Sequence, residues 1–220
     1  MDRTVPAGAA LLLDFIAQTE VGSTGRASYD VIYGHNQGKL PKPITSMTLG
    51  ELIDAQASFA KRFKSSASGR YQFMRATLQG LAQELGLRGT QVFDPDLQDR
   101  LGYHLLIRRG YNQFIAGTIS RTEFGKHLAQ EWASFPVLAA TKGSHRQLIR
   151  GQSYYTGDPL NKALVTPAKI EAILDQVKAS RSSLPPQGDT LSGDINSPHQ
   201  TTSFWADLIK AIAALFNRSR

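Results

Sequence analysis

The chain has 220 residues, 41% hydrophobic and 20% charged, which suits one globular domain with a sizeable core and room for an appendage. Its formal net charge of +7 draws it toward polyanions: nucleic acid, anionic lipid or an anionic cell wall. Lys and Arg are scattered in pairs such as Lys61-Arg62 and Arg108-Arg109, which argues against a nucleic-acid arm. The absence of cysteine excludes disulfides and thiolate metal sites, and no apolar run approaches the roughly 20 residues that span a bilayer.

Apolar residues at Leu11, Leu12, Leu13, Phe15, Ile16 and Ala17 predict a largely buried first helix ending near Thr19 and Glu20, with Gly22 as its C-cap. Asp14 in the middle of this stretch, with no small-x-small site after it, argues against a signal peptide, so export must depend on something else. Residues 23–42 are rich in Gly, Ser, Asn and Tyr and read as loop, with Tyr29 to Tyr33 as a short strand or hairpin. Thr48 and Glu51 have capping-box spacing and open a second helix that runs to about Phe63. After the polar turn Ser65 to Gly69, a third helix is entered through Arg70 to Met74 and ends at Gly86.

Asp94 and Pro95 suit the N-cap and first turn of a fourth helix reaching Gly110. Ser120 and Glu123 repeat the capping pattern for a fifth, carried to Ser134, and Thr166-Pro167 opens the last core helix. Residues 180–203 are Ser-, Pro- and Gly-rich and read as a flexible linker. Beyond it, Phe204, Trp205, Leu208, Ile209, Ile212 and Phe216 form one side of an amphipathic basic helix, residues 204–220. It suits an anionic membrane surface or another protein. The expected organisation is a mainly α domain over residues 1–179, with a small β-hairpin excursion after the first helix, then linker and tail helix.

Glu20 stands one residue beyond the apolar segment, at the lip of a polar loop. Burial beside an apolar helix raises a carboxyl pKa, and a rise of about 2 units costs about 2.7 kcal/mol. On position alone, a solvated carboxylate at a helix end is the plainer reading. Ser66 to Phe73 places small residues before Arg70, Tyr71 and Gln72. Small residues let backbone approach a ligand, an amide bonds both donors and acceptors, and tyrosine offers a flat face. The alternative is a turn in which Tyr71 is core and Arg70 solvated. His104, His127 and His145 lack metal-ligand spacing, and Asp94, Asp96 and Asp99 lack the density and glycine of a calcium loop. No metal and no cofactor is expected.

Together these stretches resemble the lambda-phage endolysin family, the lysozyme-like peptidoglycan lytic transglycosylases. The resemblance lies in Thr19-Glu20, Tyr29 to Gly34, Ser68-Gly69-Arg70-Tyr71-Gln72, Leu85-Gly86-Leu87, Phe93-Asp94-Pro95, Gln98-Asp99 and Trp132 to Pro136, in the family's order, over roughly residues 9–178. It implies an α+β lysozyme-like fold and cleavage of the β-1,4 bond between N-acetylmuramic acid and N-acetylglucosamine. Glu20 becomes the general acid/base, with Ser68, Tyr71 and Gln72 at the groove and Arg70 either bracing the fold or contacting substrate. Asp30, in the implied hairpin beside the cleft, is a possible second carboxylate, although a structural role suits it better because the transglycosylase type works with one Glu. The family runs quickly from its Phe-Pro into a Tyr-Gly-Gln stretch. Here Val137 to Arg150 intervenes before Gly151-Gln152, which we align with it, and Gln152, Tyr154 and Tyr155 are expected to touch sugar or pack in the core.

The implied substrate is the peptidoglycan glycan strand, and the implied product a 1,6-anhydro end. A hydrolytic lysozyme using Glu20 with Asp30, a non-catalytic wall-binding or phage structural protein, and a basic nucleic-acid binder are the competing readings. No nucleic-acid partner and a monomer are expected. The enzyme would be made in the host cytoplasm and act on the wall after release by a holin, the virion or another route.

Overall fold

The computed structural model describes residues 1–158 and 161–182; the expected linker and tail helix lie outside the described residues, apart from the first residues of the linker. Seven α-helices are present among the described residues: α1 Ala7–Val21, α2 Leu49–Phe63, α3 Arg75–Glu84, α4 Pro95–Arg108, α5 Tyr111–Ala116, α6 Arg121–Glu131 and α7 Pro167–Ser182. One antiparallel pair, β1 Thr141–Lys142 and β2 Gln147–Leu148, accompanies them, so the fold is mainly α with a small sheet. No helix of the described residues is long and apolar enough to cross a membrane.

The helices begin where local chemistry favours them. Thr48 accepts from the backbone of Glu51 while Glu51 returns a bond to the Thr48 N–H, a complete capping box. Asp94 accepts the Leu97 N–H at 2.8 Å ahead of Pro95, and Ser120 accepts from Glu123 at 3.1 Å. α1 ends at Gly22, whose φ of 71° is the left-handed cap that glycine adopts at no steric cost.

α1 lies at the centre, packed on α7 and α4. Leu12, Leu13, Ile16 and Ala17 are fully buried, as are Ile170, Leu174 and Val177 of α7. The approach needs glycine. A Cβ at Gly8 would stand 2.7 Å from Ser180 Oγ and 3.2 Å from the Val177 carbonyl, and one at Gly102 would meet the Tyr71 ring at 2.9 Å and Leu13 at 3.1 Å.

Several boundaries differ from expectation, and α6 stops at Glu131, short of Ser134. The hairpin predicted at Tyr29–Tyr33 is instead a pair of 3-10 turns, Arg26–Asp30 and Tyr33–His35, around a single bridge from Ile32 to Ser68. The Ser66–Phe73 loop offers Ile32 one bridge and no ladder, and Gly34 at φ 66° turns the chain away at once. The two-stranded sheet lies instead at residues 141–148. α3 starts at Arg75 rather than at Arg70, because Ser68 and Phe73 pair backbone to backbone at 2.9 and 3.1 Å and hold residues 69–72 in a turn. α7 runs to Ser182, past residue 180 where linker was expected.

Candidate active site

Glu20 shares a helix face with Leu13, Ile16 and Ala17, at spacings of seven, four and three, so its side chain leaves α1 from the buried stripe. The residue is half-buried, and its carboxyl is enclosed by protein. Desolvation raises the carboxyl from an ordinary 4.5 to about 7, against the opposing pull of a hydrogen bond from Ser134. Ser134 Oγ–H donates to Glu20 Oε1 in a short contact. A carboxyl poised near neutral pH gives and takes a proton with little driving force in either direction, which is what a general acid/base requires.

Ser134 is fixed from several sides. It lies in the turn after α6, where Phe135 N–H returns to the Trp132 carbonyl at 2.9 Å, and its own carbonyl accepts Leu164 N–H at 2.7 Å. Phe135 is fully buried and packs edge-on against Phe15 of α1, ring centres 5.7 Å apart. Trp132 Nε1–H donates to the Tyr71 carbonyl at 3.2 Å, tying this turn to the 69–72 loop. Ser134 stood in the Trp132-to-Pro136 stretch of the sequence with no role attached. A hydroxyl on a turn gives no hint of a carboxyl 114 residues earlier.

The other residues singled out from sequence divide into three groups. Ser68, Arg70 and Tyr71 are at most 2% exposed, so their side chains lie in the interior and not on an open groove wall. Their polar atoms serve the fold. Ser68 Oγ–H donates to the Ser66 carbonyl at 2.9 Å. Arg70 pairs with Asp14, donates to the Thr24 carbonyl at 2.6 Å and to Ser28 Oγ at 2.8 Å, and stacks on the Tyr29 ring at 4.8 Å. The Tyr71 hydroxyl donates to Asp99 at 2.6 Å, and burial with that neighbouring carboxylate drives its pKa far up.

Gln72 is half-buried at a φ of 52°, and its Nε2 donates to the carbonyls of Gly69 at 2.9 Å and Val31 at 3.3 Å. Asp30 accepts the Thr45 N–H at 2.9 Å, which ties the first 3-10 turn to Ile44–Ser46. Among the described residues no hydrogen bond joins Asp30 to Glu20 or Ser134. The third group does gather near Ser134. Gln152 O accepts Val137 N–H at 2.8 Å and Ser153 Oγ–H donates to the Ala133 carbonyl at 2.7 Å, so residues 151–155 run beside the Ser134 turn. Tyr154 and Tyr155 are half-buried and meet edge to face at 5.3 Å, with the Tyr155 hydroxyl held by the Gln130 carbonyl at 2.6 Å. Gln152 Oε1 accepts Ile149 N–H at 3.1 Å.

Two buried groups of α4 that hold the 66–73 loop were not anticipated as supports. Gln98 accepts Arg70 N–H at 3.0 Å and donates to the Tyr29 carbonyl at 3.0 Å. Asp99, fully buried, accepts from the hydroxyls of Tyr29 at 2.9 Å and Tyr71 at 2.6 Å and from the Asp2 N–H at 2.7 Å. Both stand on the apolar face of α4 beside Leu101 and Gly102, and polar residues on such a face were the available signal.

A family profile described as Endolysin matches residues 10–156, a span that includes Glu20, Ser134 and the 151–155 segment. No curated protein and no solved structure matches the chain.

Proposed function

This chain belongs to the Endolysin family, and from that premise we propose that it is a lytic transglycosylase of the lambda-phage type with Glu20 as its single general acid/base. Membership implies a peptidoglycan-degrading, cell-wall-lytic enzyme of phage type. The finer reading is supported above all by the setting of Glu20: a half-buried carboxyl that desolvation pushes up to about 7, whose hydrogen-bond partner is a neutral hydroxyl and not a second carboxylate.

In this reading neutral Glu20 protonates the oxygen that bridges N-acetylmuramic acid to N-acetylglucosamine as the C1–O bond breaks. Positive charge gathers on the muramic ring, where the substrate's own acetamide can stabilise it. Glu20, now ionised, takes the proton from the C6 hydroxyl while that oxygen closes onto C1. The carboxyl is restored, no water is consumed, and the product ends in a 1,6-anhydro sugar. The Ser134 hydroxyl stabilises the ionised intermediate form of Glu20 and holds its orientation through both proton transfers. Gln152, Tyr154 and Tyr155, on the segment beside the Ser134 turn, are the groups proposed to meet sugar.

Product mass decides the reaction type. Digested peptidoglycan should yield chain ends lighter by one water than hydrolytic ends. Ends of hydrolytic mass, with activity lost in Asp30→Asn, would replace this reading with a two-carboxylate lysozyme.

A further inference from the structure

The intervening stretch Val137–Arg150 is built as a platform. Gly143 N–H donates to the Arg146 carbonyl at 2.9 Å and closes the turn between β1 and β2, while Leu148 anchors the hairpin at 2% exposure. The hairpin is pressed onto the segment that carries Tyr154. Ser144 donates to the Tyr154 carbonyl from its N–H at 3.2 Å and from its hydroxyl at 3.3 Å. A Cβ at Gly143 would stand 2.8 Å from that same carbonyl. At the tip, Lys142, His145 and Arg146 are exposed, and the Arg146 guanidinium lies over Gly157, within 3.4 Å of where a Cβ would stand. Among the described residues no carboxylate pairs with Lys142 or Arg146, whereas Arg150, at the foot of the hairpin, is held by Glu171 at 2.8 Å.

We propose that this hairpin binds the carboxylates of the peptide stem carried by the muramic acid at the cleavage site, with Lys142 and Arg146 as the receiving cations. The proposal rests on the reading of Glu20 given above, which places the glycan beside Ser134. The hairpin is joined to that position by a short series of contacts: Ser144 to Tyr154, Ser153 to Ala133, and Ser134 to Glu20. A stem leaves the lactyl group of muramic acid as an extended acidic peptide. At roughly 3.3–3.6 Å per residue, four residues reach about 13–14 Å. Its free carboxylates suit an arginine fork and a lysine point charge. The rival occupant is a phosphodiester wall polymer; one carried on the C6 oxygen of the muramic acid would block the closure of that oxygen onto C1, so the sugar that is cleaved does not carry it.

The experiment compares binding of a disaccharide-tetrapeptide and of the same disaccharide without peptide to the full chain, by titration calorimetry. Wild type should favour the peptide-bearing ligand by on the order of fivefold, falling as salt is raised. In Lys142→Gln/Arg146→Gln that ratio should collapse toward one, and Lys142→Arg/Arg146→Lys should retain it. A wild-type ratio of one, or a ratio untouched by the glutamine pair, overturns the proposal. So does a glutamine pair that loses affinity for purified teichoic acid while the ratio stands. Stem-dependent binding without any cleavage would instead overturn the assignment of Glu20 and leave the platform in place.

Discussion

At the scale of single residues, the proposed chemistry rests on the proton affinity of Glu20. Removing the proton donor by Glu20→Gln should lower cleavage on the order of 10²–10⁴-fold, with the circular dichroism spectrum unchanged. Because the acid must enter the cycle protonated, wild-type turnover should fall as pH rises through about 7. Ser134→Ala removes a bond that favours the ionised form, so this limb should move to higher pH by roughly one unit. A profile identical to wild type would show that the hydroxyl does not act on Glu20. The same raised pKa acts on stability. Between 4.5 and about 7 the folded chain binds more protons at Glu20 than the unfolded chain does, so stability contributed by this group is fully present below about 4.5 and is lost as pH rises through about 7. The loss amounts to about 3 kcal/mol, and Glu20→Gln, which keeps no charge to desolvate, should therefore melt increasingly above wild type between pH 5 and pH 8.

At the scale of elements, the 66–73 loop is held by α4 as well as by its own Ser68–Phe73 pair. Gln98 takes its backbone at Arg70, and Asp99 takes the hydroxyls of Tyr71 and Tyr29. Asp99→Ala would leave both hydroxyls without their acceptor in the interior and should cost about 2–4 kcal/mol in urea unfolding, against a much smaller effect for Asp30→Ala at its half-buried site. The helices were legible in the sequence because their causes are local: Thr48 with Glu51, Asp94 with Pro95, Ser120 with Glu123, and apolar residues at helical spacing. The burial of Arg70 and Tyr71 was not readable because what decides it is distant in sequence. Tyr71 finds its acceptor 28 residues on and Arg70 its carboxylate 56 residues back. The 29–33 stretch has residues that suit a strand, but a strand needs a ladder, and only Ser68 faces it. Glu20 was singled out by the family resemblance, since its position alone suits a solvated carboxylate equally well, and no local signal marked Ser134 as its partner.

At the scale of the whole molecule, the formal net charge of +7 faces a polyanionic wall. Added salt should slow lysis of intact sacculi by weakening their capture, with a smaller effect on turnover of a short soluble glycan fragment. Equal loss on both substrates would place the salt effect in catalysis instead. The close packing at Gly8 has one more consequence. The Ser180 hydroxyl and the Val177 carbonyl sit against the opening turn of α1, whereas Glu20 stands twelve residues later on the same rod. At 1.5 Å per residue that separation is roughly 18 Å. The last turn of α7 thus lies against the pole of the central helix opposite to the one that carries the Glu20 carboxyl.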